Sequence, residues 1–174
     1  MAEGEEIIKL KFMKTLVVFY SRTGVTGKLA DYIAKKIGAE TEEIKDTVNR
    51  AGAIGYLLAG RDGTLRKLTK LETPKLNPAD FDLVIIGTPI WSFNMSAPIR
   101  TYLEEYKNQF KQAAFFCTMG GSGDKKAFKE MGEVTGKKPV AALTLKTAEV
   151  VASSFEKADK FCDELNNIFK SIGE

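Results

Sequence analysis

Hydroxyl-bearing residues and glycines share a short segment, 21–27, that follows an apolar run. At the start of a helix such a segment can bind an anion, because hydroxyl groups, free backbone N–H groups and the helix dipole all favour negative charge. A helix cap made of ordinary turn residues is the alternative interpretation. The candidate anion-binding residues are Ser21, Arg22, Thr23, Gly24, Val25 and Thr26.

Two common phosphate motifs are excluded in this segment. A Walker A loop requires Ser or Thr after its lysine, whereas Leu29 follows Lys28. A dinucleotide-binding loop requires three glycines, and only Gly24 and Gly27 are present. The segment therefore predicts a phosphate site that depends on neutral donors and the helix dipole.

A second segment gathers large apolar side chains after the apolar run at 82–87. Loops lie at the surface, so a tryptophan, a phenylalanine and a methionine in a loop need a partner. A flat aromatic ligand that stacks on them would provide one, and a loop folded back on the core is the alternative. The candidate residues are Thr88, Pro89, Ile90, Trp91, Ser92, Phe93, Asn94 and Met95.

A third segment places three glycines within four residues, just before a predicted helix. Glycine lets the backbone approach a ligand closely. Taken with the other two segments, this one predicts a ligand that is both phosphorylated and flat. The candidate residues are Met119, Gly120, Gly121, Ser122, Gly123 and Asp124.

Four apolar runs and one weaker candidate are expected to form the strands that position these segments. The four runs are nearly continuous rather than alternating, so both faces should be covered by helices, as in a parallel sheet. The predicted fold is α/β, a three-layer doubly wound sheet of five parallel strands in the order 2-1-3-4-5. All three segments then meet at the carboxyl edge, where strand order reverses and ligands bind. The runs are 15–20, 39–44 (the weakest), 82–87, 113–118 and 140–145.

Helical patterns separate these runs. Asp124 is expected to cap one of the helices. Residues 45–80 give a weaker pattern, which predicts a short helix near 53–58 and a turn at 60–63. The clearest helices are predicted over 29–37, 96–106 and 155–172.

Composition excludes several classes of protein. The 174 residues fit one domain, expected over 14–174, after an N-terminal arm or extra edge strand at 1–13. The chain has no histidine, which excludes a histidine base and every His-containing metal site. The net charge of +3 is spread along the chain, so no nucleic-acid partner is expected. No apolar run approaches the ~18 residues of a membrane span, so no membrane association is expected either.

The two cysteines, Cys117 and Cys162, form no CxxC pair. Each lies beside a phenylalanine, so both are expected to be buried free thiols rather than metal ligands. Free thiols indicate a reducing compartment, and a cytoplasmic location is predicted.

The three segments together resemble the flavodoxin family. The run Ser21-x-Thr23-Gly24-x-Thr26 is similar to the family's [ST]-x-T-G-x-T motif, and 82–91 and 116–123 are similar to its two flavin loops. The resemblance implies FMN as the cofactor, with the first segment at its phosphate and the other two on either side of its isoalloxazine ring. It also implies that no side chain is catalytic, because the chemistry belongs to the flavin.

The same resemblance implies a redox protein that carries electrons between partner proteins, as a monomer or a small homo-oligomer. An FMN-dependent NAD(P)H:quinone oxidoreductase, which would use NAD(P)H and a quinone-like acceptor, is the alternative.

Departures from the family bear on that choice. Val25 replaces the usual Asn of the motif, 119–124 lacks the aromatic residue that commonly covers the flavin, and the chain is not acidic. The last two departures favour the alternative. Five lysines after the third segment form a solvated face, or else attract an acidic protein or a phosphorylated nicotinamide: Lys125, Lys126, Lys129, Lys137 and Lys138.

Overall fold

The computed structural model describes residues 13–172, and the side chains of residues 13–170. The arm or edge strand expected at 1–13 lies outside the described residues, save for Met13. No helix within the described part is long and apolar enough to cross a membrane.

A parallel sheet forms the middle layer. The order of its strands is β2-β1-β3-β5-β6, and the short β4 pairs antiparallel with β3. Without β4 this is the predicted doubly wound order of five parallel strands, which is therefore confirmed. The strands are β1 Thr15–Phe19, β2 Glu40–Glu43, β3 Leu83–Trp91, β4 Asn94–Met95, β5 Ala113–Met119 and β6 Ala142–Lys146.

Helices cover both faces of the sheet. Side chains of α1, α5 and α6 pack in the core on one face, and those of α2, α3 and α4 pack in the core on the other. A single 3-10 turn, Pro78–Asp80, precedes β3. The helices are α1 Val25–Ile37, α2 Gly52–Thr64, α3 Ala97–Tyr106, α4 Asp124–Thr135, α5 Thr147–Val151 and α6 Glu156–Ile172.

The two cores explain why the central strands β1, β3 and β5 are almost continuously apolar. In β1, Val17 packs in one core while Leu16 and Val18 pack in the other. In β3, Gly87 lies beneath the ring of Phe116, which is so close that a Cβ at 87 would lie 1.9 Å from it. A glycine is therefore required in the centre of the sheet, and the ring of Phe116 fills the space.

The second candidate segment is a β-hairpin rather than a loop. The strand predicted to end at 87 continues to Trp91, because β4 returns alongside it and pairs Ile90 with Met95. The two turn residues, Ser92 and Phe93, have φ of 48° and 65°. This left-handed geometry fits a tight hairpin, although glycine or asparagine usually occupies such positions.

Two further predictions need correction. The turn expected at 60–63 is helical, because α2 runs on to Thr64. Asp124 does not cap α4: Gly123 occupies the cap position and Asp124 is the first helical residue. The cysteine prediction is confirmed, since Cys117 and Cys162 are buried and free, and burial raises the pKa of each thiol to about 12.

Candidate functional site

A pocket of about 490 Å³ opens at the carboxyl edge of the sheet. This volume lies within the range of about 300–1,000 Å³ that is typical of small-molecule sites. All three predicted segments contribute to it, together with α2 and the residues that end β5 and start α5. Its lining residues are Arg22, Thr23, Val25, Thr26, Tyr56, Leu57, Ala59, Gly60, Arg61, Pro89, Ile90, Trp91, Ser92, Thr118, Met119, Gly120 and Thr147.

The first segment folds into a tight turn over the start of α1. Gly24 takes the cap position with φ of 86°, a conformation that side chains rarely adopt. The hydroxyl of Ser21 accepts a hydrogen bond from the Gly27 N–H at 3.0 Å. The first turn of α1 contains no acidic residue, so nothing there opposes a bound anion.

A hydroxyl pair ties this turn to the neighbouring strand. Thr26 and Thr118 are both buried, and their hydroxyl oxygens lie 2.8 Å apart. Ser21 and Gly24 do not line the pocket. They line a separate groove, together with Lys28.

Only the first two residues of the third segment line the pocket. Met119 and Gly120 line the pocket, and a Cβ at Gly120 would meet only open space. The other predicted residues lie outside it. The Asp124 carboxylate accepts a hydrogen bond from the Thr144 hydroxyl at 3.0 Å, so this side chain faces β6. The residues outside the pocket are Gly121, Ser122, Gly123 and Asp124.

Trp91 forms a wall of the pocket instead of a projecting shelf. Its side chain is largely buried, with the ring of Tyr20 edge-on at 5.5 Å and the Arg50 guanidinium 5.1 Å from its ring centre. Burial, with a smaller contribution from the charge of Asp46, raises the pKa of Tyr20 to about 12, so this phenol stays neutral. The wall is therefore buried and aromatic.

The hairpin removes half of the second segment from the pocket. Pro89, Ile90 and Ser92 line the pocket with Trp91, but Asn94 and Met95 are buried beneath them. The physical reason is the pairing of β4, which turns the chain back into the core. For Asn94 and Met95, the structure therefore shows the alternative interpretation, a chain folded back on the core. Thr88, whose hydroxyl accepts from the Ser96 N–H at 3.0 Å, and the exposed Phe93 also lie outside.

Sequence reasoning missed the contribution of α2. Tyr56 and Leu57 line the pocket although their side chains are mostly exposed, and the Arg22 guanidinium lies 5.4 Å from the Tyr56 ring centre. The spacing of glycines in the sequence could have indicated this contribution. Gly55 and Gly63 are buried eight residues apart on α2, which indicates a helix that approaches other backbone closely.

Buried charges fasten α2 in place. Arg50 lies just before the helix and bonds to Asp46 and, at 2.8 Å, to Asp62 in its third turn. Arg61 also bonds to Asp62, at 2.7 Å. Burial tends to raise the pKa of Asp62, but the two arginines outweigh it and hold that pKa below its ordinary value.

Close backbone contacts complete the attachment of α2 to the hairpin. A Cβ at Gly63 would lie 2.5 Å from the carbonyl oxygen of Trp91, so only glycine permits this approach. One turn earlier, the Ser92 hydroxyl donates to the carbonyl of Gly60 at 3.0 Å. The wall formed by Trp91 and α2 is thus a single packed unit.

The site combines donors for an anion with an aromatic wall for a flat ring. Among the described residues, no group of three or more His, Cys, Asp or Glu side chains could hold a metal ion. The ionisable side chains of the pocket lining are Arg22, Arg61 and Tyr56. The pocket is therefore suited to binding, and it offers no carboxylate or thiol as a base or nucleophile.

Comparisons with known proteins agree with this geometry. A flavoprotein from Lactobacillus acidophilus, crystallised in complex with FMN, is 27% identical with a TM-score of 0.66, over 82% of this chain and 99% of that one. Two structures described as flavoproteins share the fold, one from Bacteroides uniformis (23% identity, TM-score 0.67, 83% and 99% of the two chains) and one from Bacteroides eggerthii (21%, 0.67, 84% and 98%). No curated protein sequence matches.

A family model provides the remaining comparison. The model described as Flavodoxin matches residues 58–162, which is more than half of the chain. That range includes β3 with its hairpin, and the loop after β5. The chain therefore belongs to the flavodoxin family.

Proposed function

We propose that this protein binds FMN in the pocket at the carboxyl edge and carries electrons between partner proteins. The FMN-bound flavoprotein from Lactobacillus acidophilus supports the choice of cofactor. A bound flavin supplies reversible electron transfer, which the side chains of this chain cannot supply themselves.

One observation carries the proposal: the start of α1 and the Trp91 wall open into the same pocket. Thr23 and the first turn of α1 would hold the phosphate, with Arg22 adding a positive charge beside it. Trp91 would bind the ring system on one side. Backbone at Gly120 would approach it on another, because the space above this glycine is open.

The residues of the pocket position the cofactor and do not transfer protons. Tyr56 and Leu57 exclude water from one side, while hydroxyl groups of Thr23 and Thr147 provide neutral hydrogen-bonding groups. The hydroxyl of Thr26 is already engaged with Thr118, so it stabilises the loop from behind.

A second candidate is an FMN-dependent NAD(P)H:quinone oxidoreductase. The observation that favours it is the open side of the pocket at Gly120, where no aromatic side chain of 119–124 covers the opening. Arg22 and Arg61 at the same pocket would attract a phosphorylated nicotinamide.

The cofactor is tested by titrating the purified full chain with FMN and with riboflavin, which lacks the phosphate, and recording flavin fluorescence. We expect FMN to bind at least tenfold more tightly, since a charge-assisted hydrogen bond contributes about 1.5–3 kcal/mol. Thr23→Val should weaken FMN about tenfold and leave riboflavin unchanged. Thr41→Val, on the exposed β2, is the control and should change neither. Absence of FMN binding would overturn the proposal.

The role of the bound cofactor is tested with NADPH and a quinone, with no other protein present. A carrier should give no turnover until a separate reductase is added. Sustained NADPH oxidation by the FMN-loaded protein alone would instead establish the second candidate.

A further inference from the structure

Four large apolar side chains lie exposed on α2 and on the tip of the hairpin that packs against it. Ile54, Tyr56 and Leu57 on α2 are 75%, 66% and 70% exposed, and Phe93 at the hairpin tip is 59% exposed. Tyr56 and Leu57 also line the pocket, whereas Ile54 and Phe93 do not. Exposed aromatic and aliphatic side chains that cluster in this way mark surfaces that bind other proteins.

Close contacts join the two elements that carry these side chains, α2 and the hairpin, to each other and to α4. The Ser92–Gly60 hydrogen bond holds the hairpin to α2. Gly123, which caps α4, approaches so closely that its Cβ would lie 2.6 Å from the Phe93 Cα. Arg66, just after α2, bonds to Glu130 of α4 at 2.9 Å. The hairpin, α2 and α4 therefore form one continuous area, which we call the mouth surface.

The exposed charges of the mouth surface are mostly basic. Of the four acids on α2 and α4, Asp62 and Glu130 are buried and bonded to arginines, Asp124 is half-buried and accepts a hydrogen bond from Thr144, and Glu133 is exposed. Lys129 lies 3.8 Å from Glu133, an exposed pair that neutralises little. The exposed basic residues are Arg61, Arg66, Lys67, Lys125, Lys126 and Lys129.

We infer that the mouth surface docks an acidic electron-transfer protein, an inference that rests on the proposed FMN site. An apolar centre bordered by basic side chains fits a partner with an apolar contact area bordered by carboxylates. A second copy of this chain fits poorly, because a two-fold interface would bring like charges together. A nicotinamide nucleotide would use the charges but leave Ile54 and Phe93 uncovered.

The test measures electron transfer into the FMN-loaded full chain from a reduced plant-type ferredoxin, used as an acidic probe. Stopped-flow absorbance of the flavin gives the second-order rate constant at low and at high salt. We expect a fall of about tenfold or more as salt rises, because screening removes the attraction between opposite charges.

Two double variants locate the effect. Lys125→Glu/Lys126→Glu, on α4, should lower the low-salt rate constant about tenfold and flatten its salt dependence. Lys35→Glu/Lys160→Glu makes the same change in net charge on α1 and α6, the opposite helical layer, and should change the rate less than about twofold. Ile54→Gln should lower the rate a few-fold with the salt dependence retained.

Three outcomes would overturn the inference: a rate independent of salt, equal losses in the two double variants, or a defect confined to NADPH oxidation. The last would assign the surface to a nucleotide. FMN titration of every variant comes first. Failure of the native chain to bind FMN contradicts the proposed function, whereas normal FMN binding without charge dependence contradicts the docking alone.

Discussion

The two walls of the pocket are built in different ways. The wall at the start of α1 lies within six consecutive residues, 21–26, and is set by a left-handed glycine and a serine hydroxyl. The opposite wall joins α2 to the hairpin, so residues about thirty positions apart, such as Gly60 and Ser92, must meet. The first wall is encoded locally. The second exists only when the tertiary structure has formed.

This difference predicts where the pocket is vulnerable. A local turn retains its geometry when distant residues change, whereas α2 depends on a buried ion-pair cluster and on glycines that allow close backbone contact. Substitutions in the α2 wall should therefore have the larger effects on stability.

The largest effect is expected from Arg50→Met. Removing this guanidinium leaves Asp46 and Asp62 near each other, with Asp62 buried, which should lower the free energy of unfolding by about 3–5 kcal/mol. Urea denaturation measures the loss. Arg61→Met is the matched control: it removes a half-exposed partner of the same Asp62 and should cost at most about 1 kcal/mol. Equal losses would contradict the importance of the buried cluster.

A fall in pH should reduce the stability that Asp62 contributes to the α2 wall. The pKa of Asp62 is held below its ordinary value of 3.8 in the folded protein. Its contribution to stability is therefore complete above about pH 4 and is lost as the pH falls through the lowered value. The difference in unfolding free energy between the native chain and Arg50→Met should shrink below about pH 4. A difference that stayed constant on acidification would be inconsistent with this linkage.

A smaller effect is expected from Gly63→Ala. Its Cβ would lie 2.5 Å from the Trp91 carbonyl oxygen, and displacing α2 from the hairpin should cost about 1–3 kcal/mol. Gly60→Ala, one turn earlier, meets its nearest atom at 3.6 Å and should stabilise the helix by about 0.5–1 kcal/mol. Thermal unfolding of the pair tests the contrast. If both alanines stabilised the chain, the close approach would not be a constraint.

The hydrogen bond between Thr26 and Thr118 tests how the wall at the start of α1 is attached to β5. Thr26→Val removes the 2.8 Å bond to Thr118 and should cost about 1–2 kcal/mol, since a buried hydroxyl is left unpaired. The double variant Thr26→Val/Thr118→Val should be nearer to the native stability, because both partners become apolar together. A strictly additive pair of losses in denaturation would argue against the bond.

The smallest predicted effect is an increase, not a decrease, in the free energy of unfolding. Phe93 has φ of 65° in the hairpin turn, and asparagine adopts this conformation more readily. Phe93→Asn should raise the free energy of unfolding by about 0.5 kcal/mol. Phe93→Leu keeps an apolar side chain in the same strained geometry and should give no gain in a parallel melt.

The sequence predicted the sheet and the local wall because their signals are local. Continuous apolar runs predicted burial on both faces of the central strands, and the spacing of hydroxyl residues and glycines predicted the turn before α1. The carboxyl edge then followed from topology, which brought Arg22, Trp91 and Gly120 to one pocket.

The α2 wall escaped prediction because its determinants are tertiary. The residues at 60–63 have the composition of a turn, whereas in the fold they are helical and make tertiary contacts, such as the ion pair of Asp62 with Arg50 and the hydrogen bond of Gly60 with Ser92. Similarly, nothing local marks Ser92 and Phe93 as a two-residue turn. Only the pairing of β4 with β3 buries Met95 and removes it from the pocket.

The ring of Phe116, packed against Gly87 in the centre of the sheet, has a consequence for mutational tolerance. It fills the volume that any side chain at Gly87 would need, so saturation mutagenesis should find this position closed to all replacements. At Gly120, where a Cβ meets nothing, most residues should be accepted by the fold. The two glycines would thus separate into one that the architecture demands and one that only a ligand can demand.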